Sequence, residues 1–140
     1  MASACEAIIE HLHDAAGVTA LIGTGNSFRC YPGRIPHGDE FPAIKWSLIS
    51  TTPERHLTGK AGYGYTTMMI DCIGTSFDSA KGLADAVVTA LDEKTADKLS
   101  VPIHHIEAEI EAHGFYLDPS GLDTTHRHQI SVGVLVYHGL

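Results

Sequence analysis

The stretch from Tyr65 to Leu91 constrains this chain more than any other. Thr66-Thr67-Met68-Met69-Ile70-Asp71-Cys72-Ile73 is rich in β-branched and long apolar residues and reads as a buried strand. Gly74-Thr75 breaks it. Ser76 then stands where a helix N-cap belongs, with Asp78 in the first turn, where a carboxylate meets the positive end of the helix. Behind the cap, Phe77, Ala80, Leu83, Ala84, Val87, Val88 and Leu91 form one apolar stripe at helical period. A strand that feeds a capped amphipathic helix through two residues makes a unit whose helix packs back on the sheet.

The elements around that unit follow from the same two periodicities. Ser3 to Ala16 reads as a first helix, with Ala4, Ala7, Ile8, Leu12 and Ala15 on one face and Gly17 as its terminator. A further turn ends at Leu21-Ile22, before the loop Gly23 to Ser27. Phe28 to Tyr31 is a short strand, and Pro32 to Glu40 is an irregular connection punctuated by Pro and Gly. Ala43 to Thr51 is the next strand, with Ile44, Trp46 and Leu48 on one face and Lys45 and Ser47 on the other. Pro53 to Tyr63 is polar, and is expected to be a mobile excursion or a long hairpin.

After the second main helix, Asp92 to Ser100 is a charged connection with room for a helical turn. Ile106, Ala108, Ile110 and Ala112 then alternate with Glu107, Glu109 and Glu111, the pattern of a half-buried strand with one acidic face. Asp118-Pro119-Ser120-Gly121 is a turn, and Thr125 to Tyr137 is the last strand, with Ile130, Val132, Val134 and Val136 alternating. The two closing strands, joined by one loop, are expected to pair antiparallel. The predicted fold is α+β: a mostly antiparallel β-sheet with two main helices packed on one face, in the order α-β-β-β-α-β-β.

Bulk properties exclude several functions. At 140 residues the chain reads as one domain, and its 44% hydrophobic and 19% charged content is that of an ordinary soluble protein. No apolar run approaches the roughly 20 residues that span a bilayer, and Met1 to Glu6 has neither the basic region nor the apolar core of a secretion signal. Cys5, Cys30 and Cys72 are odd in number and lack CxxC spacing, which predicts reduced, packing thiols in a cytoplasm. The net charge is −8, and nine scattered Lys and Arg make no phosphate-gripping patch. Sequence-specific DNA binding is not expected, whereas an acidic surface past which DNA slides is compatible with that charge.

Ten histidines invite a metal hypothesis. His11 and His13 point to different faces of a helix. His126 and His128 share a strand face, and His104-His105 opens the partner strand, so His104, His126 and His128 could converge on zinc with Glu107 in reach. No HExxH or Cys/His finger spacing accompanies them, and solvated or hydrogen-bonded surface histidines are the preferred reading: no metal and no cofactor are expected. Gly23-x-Gly25 and Gly62-x-Gly64 lack the remainder of a nucleotide motif and read as turns. There is no GxSxG, and Cys72 lies inside an apolar strand, so no catalytic residue is assigned. Glu107, Glu109 and Glu111 read as a solvated face or as a charged wall toward a partner or a channel. Arg55, His56, Leu57 and Lys60, in the polar excursion, read as a solvated loop or as a docking arm that touches a neighbouring subunit.

Several segments resemble one family in the same order and spacing. Arg29-Cys30-Tyr31-Pro32-Gly33-Arg34-Ile35-Pro36 and Phe41-Pro42-Ala43-Ile44 are similar to the opening of the tail completion, or tail terminator, proteins of tailed bacteriophages. So are Asp71-Cys72, Ser76-Phe77-Asp78-Ser79-Ala80, Leu83-Ala84-Asp85-Ala86-Val87 and Ala90-Leu91-Asp92, and the closing Val136-Tyr137-His138. The likeness runs from about Glu6 to His138 and implies a single tail-terminator-like domain over residues 1–140. It further implies a structural virion protein, not an enzyme, that caps the tail tube as a homohexameric ring at the head-proximal end. Its implied partners are its own copies, the major tail tube protein and a neck or head-completion protein, with DNA only as passing cargo and no membrane. Assembly would take place in the host cytoplasm, and related proteins occur in defective prophages and gene-transfer particles. The competing reading is a small cytoplasmic ligand- or metal-binding α+β domain built on the histidine-rich strand pair.

Overall fold

The computed structural model describes residues 4–23, 28–33, 35, 41–56, 59–92, 96–98, 101–116 and 127–139, and for 53–56, 59–63, 96–98, 101, 102, 104 and 139 the backbone alone. In chain order the elements are α1 (Ala4–His13), α2 (Ala16–Ile22), β1 (Cys30–Pro32), β2 (Ala43–His56), β3 (Gly59–Gly74), α3 (Phe77–Leu91), β4 (Ala96–Lys98), β5 (Val101–Tyr116) and β6 (Arg127–Gly139). The strands form one sheet in the order β1-β2-β3-β6-β5-β4. Every pairing is antiparallel except that of β1 with β2. The α+β class and the order of main elements are those the sequence predicts.

The central unit forms as its spacing dictates. Ser76 is extended (φ −134°, ψ 164°), and its Oγ accepts from the Ser79 N–H at 3.1 Å, a cap worth about 1 kcal/mol. α3 then buries Ala80, Leu83, Ala84, Val87 and Leu91. Beneath them lie Met68, Ile70 and Cys72 of β3, Ile130, Val132, Val134 and Val136 of β6, and Ile106 and Ala108 of β5. Period two in the strands meets period 3.6 in the helix, and each large side chain so buried contributes about 1.5–3 kcal/mol. α1 completes the layer with Ala4, Ala7, Ile8 and Leu12.

Differences from expectation have local causes. α1 stops at His13 rather than near Ala16: the Ala15 N–H bonds the Leu12 carbonyl at 3.1 Å, and Ala15 turns extended as the N-cap of α2, placing Gly17 inside that helix. Phe77 is 44% exposed and leaves the core stripe. Leu48 shares a face with Ile44 and Trp46 yet is 55% exposed, because α3 packs mainly over β3 and β6 and the helical cover reaches Ile44 but not Leu48. The segment from Asp92 to Ser100 contains a short strand, β4, paired to residues 101–103. The polar segment after Thr52 is the long hairpin: β2 and β3 pair from Ala43↔Ile73 out to His56↔Gly59.

Two three-residue strands guard the sheet margins at opposite corners. β1 covers β2 at Ile44, level with Cys72, Ile130 and His113, whereas β4 covers β5 at Ile103, level with His138 and Gly64. Among the described residues, the outer edges of β2 beyond Trp46 and of β5 beyond Ile103 carry no further strand. Uncovered strand edges are pairing surfaces.

Candidate functional site

The helices occupy one side of the sheet. On the other, odd-numbered β3 residues project together with Lys45 of β2 and Ser131, Gly133 and Leu135 of β6. At the centre, Lys45 Nζ lies 3.0 Å from Asp71 Oδ2, and Ser131 Oγ donates to Asp71 Oδ1 at 2.7 Å. Asp71 is buried, so its carboxylate has both a counter-charge and a hydroxyl donor. One end of this side is closed by a second apolar cluster of Ile35, Ala43, Ile73 and Tyr116, with Phe41 against it and the Arg127 guanidinium 4.3 Å above the Phe41 ring. Toward the other end, Tyr65, Tyr137 and His105 make a row of ring contacts at 6.0 and 6.2 Å.

Between these ends is an open depression of about 630 Å³. Its floor is Thr67, Met69 and Leu135, and its wall is Glu107, Glu109 and Glu111. Thus the three glutamates the sequence picks out share one surface, though not by simple alternation. The pairing shifts register between Ile110 and Ala112, a bulge that leaves Ile110 and Ala112 exposed. Glu111 lies over Gly133, where an added Cβ would overlap its carboxylate. At the margin, Asp92 Oδ1 accepts from the Ala108 N–H at 3.1 Å, so a side chain satisfies one donor of the uncovered β5 edge.

Arg55, His56 and Lys60 lie at the distal end of the β2–β3 hairpin, where Arg55 pairs with Lys60 and His56 with Gly59. Leu57 lies outside the described residues. On the same hairpin, Leu48 and Ile49 are 55% and 56% exposed at a second register shift, on the uncovered edge of β2. They are adjacent exposed aliphatic residues on a strand edge with unpaired backbone groups.

Of the histidines the sequence singles out, His126 and the His104 side chain lie outside the described residues. His128 meets His113, which sequence reasoning missed; His113 Nε2 and His128 Nδ1 are 3.2 Å apart with ring planes 10° from parallel. Among the described residues, no three His, Cys, Asp or Glu side chains cluster as a metal site would. The three thiols are free. Burial pushes the Cys30 thiol up to about 12 and raises that of Cys72 further, with the Asp71 charge adding to the latter. Neither suits a thiolate nucleophile. No helix among the described residues is long and apolar enough to cross a membrane.

Comparison with known proteins places this geometry. A chain in the solved virion of a native gene transfer agent particle is 21% identical, with a TM-score of 0.58 over 95% of this chain and 92% of that one. A second solved chain is 12% identical, with a TM-score of 0.53 over 96% of each. These likenesses are of fold. None of the curated proteins matches. The family model of tail completion protein gp17 matches residues 6–137, nearly the full length, and the chain belongs to that family.

Proposed function

We propose that the protein is a structural component of a tailed virion or gene-transfer particle, which caps the tail tube as a homohexameric ring, ends tube growth and presents a docking surface to the neck. The family match over residues 6–137 carries this reading. The work is mechanical rather than catalytic. A ring of identical subunits requires that one surface fit a different surface on the next copy. The two uncovered edges support such a contact: β2 offers Leu48 and Ile49 and a distal hairpin with Arg55, His56, Leu57 and Lys60, while β5 is acidic. In this reading the hairpin is the docking arm.

The helix-free side then faces the lumen. Glu107, Glu109 and Glu111 would present carboxylates to passing DNA, weakening adhesion of the phosphate backbone and letting the duplex slide. Affinity purification of tagged protein from particle-producing cells, followed by mass spectrometry, tests the assignment. Recovery of a tail tube subunit and a neck protein supports it, and recovery of neither from cells that visibly make particles overturns it. Image classification of purified tails then reads the ring stoichiometry.

A further inference from the structure

The His113–His128 pair is used by nothing above. We propose that these two side chains form a two-imidazole binding site for a borderline divalent transition-metal ion such as Zn²⁺ or Cu²⁺. In the β5–β6 pairing, His113 lies opposite Ile130 and Phe115 opposite His128, so the imidazoles are diagonal neighbours on the helix side of the sheet. Their facing nitrogens are 3.2 Å apart. With metal–nitrogen bonds of about 2.0–2.1 Å, two tetrahedral ligands stand about 3.3 Å from one another. The backbone therefore already sets the ligand spacing, and rotation about the terminal side-chain torsions is enough to aim both lone pairs at one point.

The surroundings favour that arrangement. Phe77, displaced from the core of α3, sets its ring nearly edge-on to both imidazoles, at 5.1 Å and 78° to His113 and at 6.3 Å and 85° to His128. Phe115, two residues from His113 on β5, contacts both, at 5.8 and 5.2 Å. Rings framed in this way have less rotational freedom to lose when an ion binds. Arg127, the cation adjacent in sequence, points to the opposite side of the sheet, over Phe41, and does not compete for the site. Neutral imidazole nitrogen selects zinc, copper or nickel over magnesium and calcium, which take oxygen ligands. Two protein ligands leave the remaining positions to water, so the site is an exchangeable clip between the ends of β5 and β6.

The test uses full-length protein freed of any polyhistidine tag and stripped with chelator. It is titrated with Zn²⁺ by calorimetry and with Cu²⁺ by visible absorption. A single ion per chain should bind, and His113→Ala and His128→Ala should each weaken binding by roughly tenfold or more. His113→Gln repeats the test with a polar side chain of similar length, circular dichroism confirms that each variant is folded, and His105→Ala, on the same strand, should bind as wild type. Absence of binding to the wild-type protein, or binding unchanged in His113→Ala and His128→Ala, overturns the proposal.

Discussion

Ser131 donates a 2.7 Å hydrogen bond to Asp71 across the seam between β3 and β6, and these residues lie 60 positions apart in sequence. The same carboxylate is 3.0 Å from Lys45 on β2. One buried anion therefore joins three neighbouring strands on the side of the sheet that lacks helices. Among the described residues, that side has no apolar layer over its centre, and polar bonding holds the strands there.

Asp71→Ala should accordingly destabilise the fold by about 1–3 kcal/mol, the cost of leaving a partly buried cation and a hydroxyl without their acceptor. Urea denaturation measures it. A double-mutant cycle with Ser131→Ala should return a non-zero coupling; strict additivity would mean that the contact contributes nothing of its own.

Two residues that the sequence places on one helical stripe should behave differently. Leu83→Ala removes a fully buried side chain and should cost about 2–5 kcal/mol. Phe77→Ala, at a position 44% exposed, should cost about 1 kcal/mol or less. Equal losses would argue that Phe77 is part of the core.

Raised thiol values predict alkaline sensitivity. A folded-state value of about 12 for Cys30 against an ordinary 9.0 means that the native state retains protons the unfolded state releases. Stability is then full below about 9 and falls as pH rises from there toward 12. Denaturation midpoints should drop across that window, and the drop should shrink in Cys30→Ser. At neutral pH, Cys30 and Cys72 should resist maleimide labelling until the protein is unfolded.

Leu48→Ser together with Ile49→Ser should leave the melting temperature of the isolated chain within a few degrees, since both side chains are already exposed. Ring formation on tails should be lost, as judged by electron microscopy. Intact rings would move the contact away from the β2 edge.

What the sequence reveals here depends on whether the determining signal is local. Ser76 and the stripe behind it lie within a few turns of one another, and the helix could be read directly. The long hairpin is held by backbone pairing through residues with no apolar alternation, so pattern alone left it as one of two options. The bulge at Ile110–Ala112 arises from register against β6, which no window on β5 contains. His113 was missed for the same reason. Alternation continued past Ala112 reaches His113 and Phe115, but their meeting with His128 depends on where β6 starts.

The corner placement of β1 and β4 has a consequence for how copies can add. Covered stretches cannot accept a neighbour, so edge-to-edge joining is confined to diagonally offset lengths of β2 and β5. Copies that joined through those lengths would repeat the same diagonal offset at each junction. A repeated step of fixed hand either returns on itself or climbs as a spiral. In this member of the tail completion family, two three-residue strands would restrict the geometry of self-association before any partner is met.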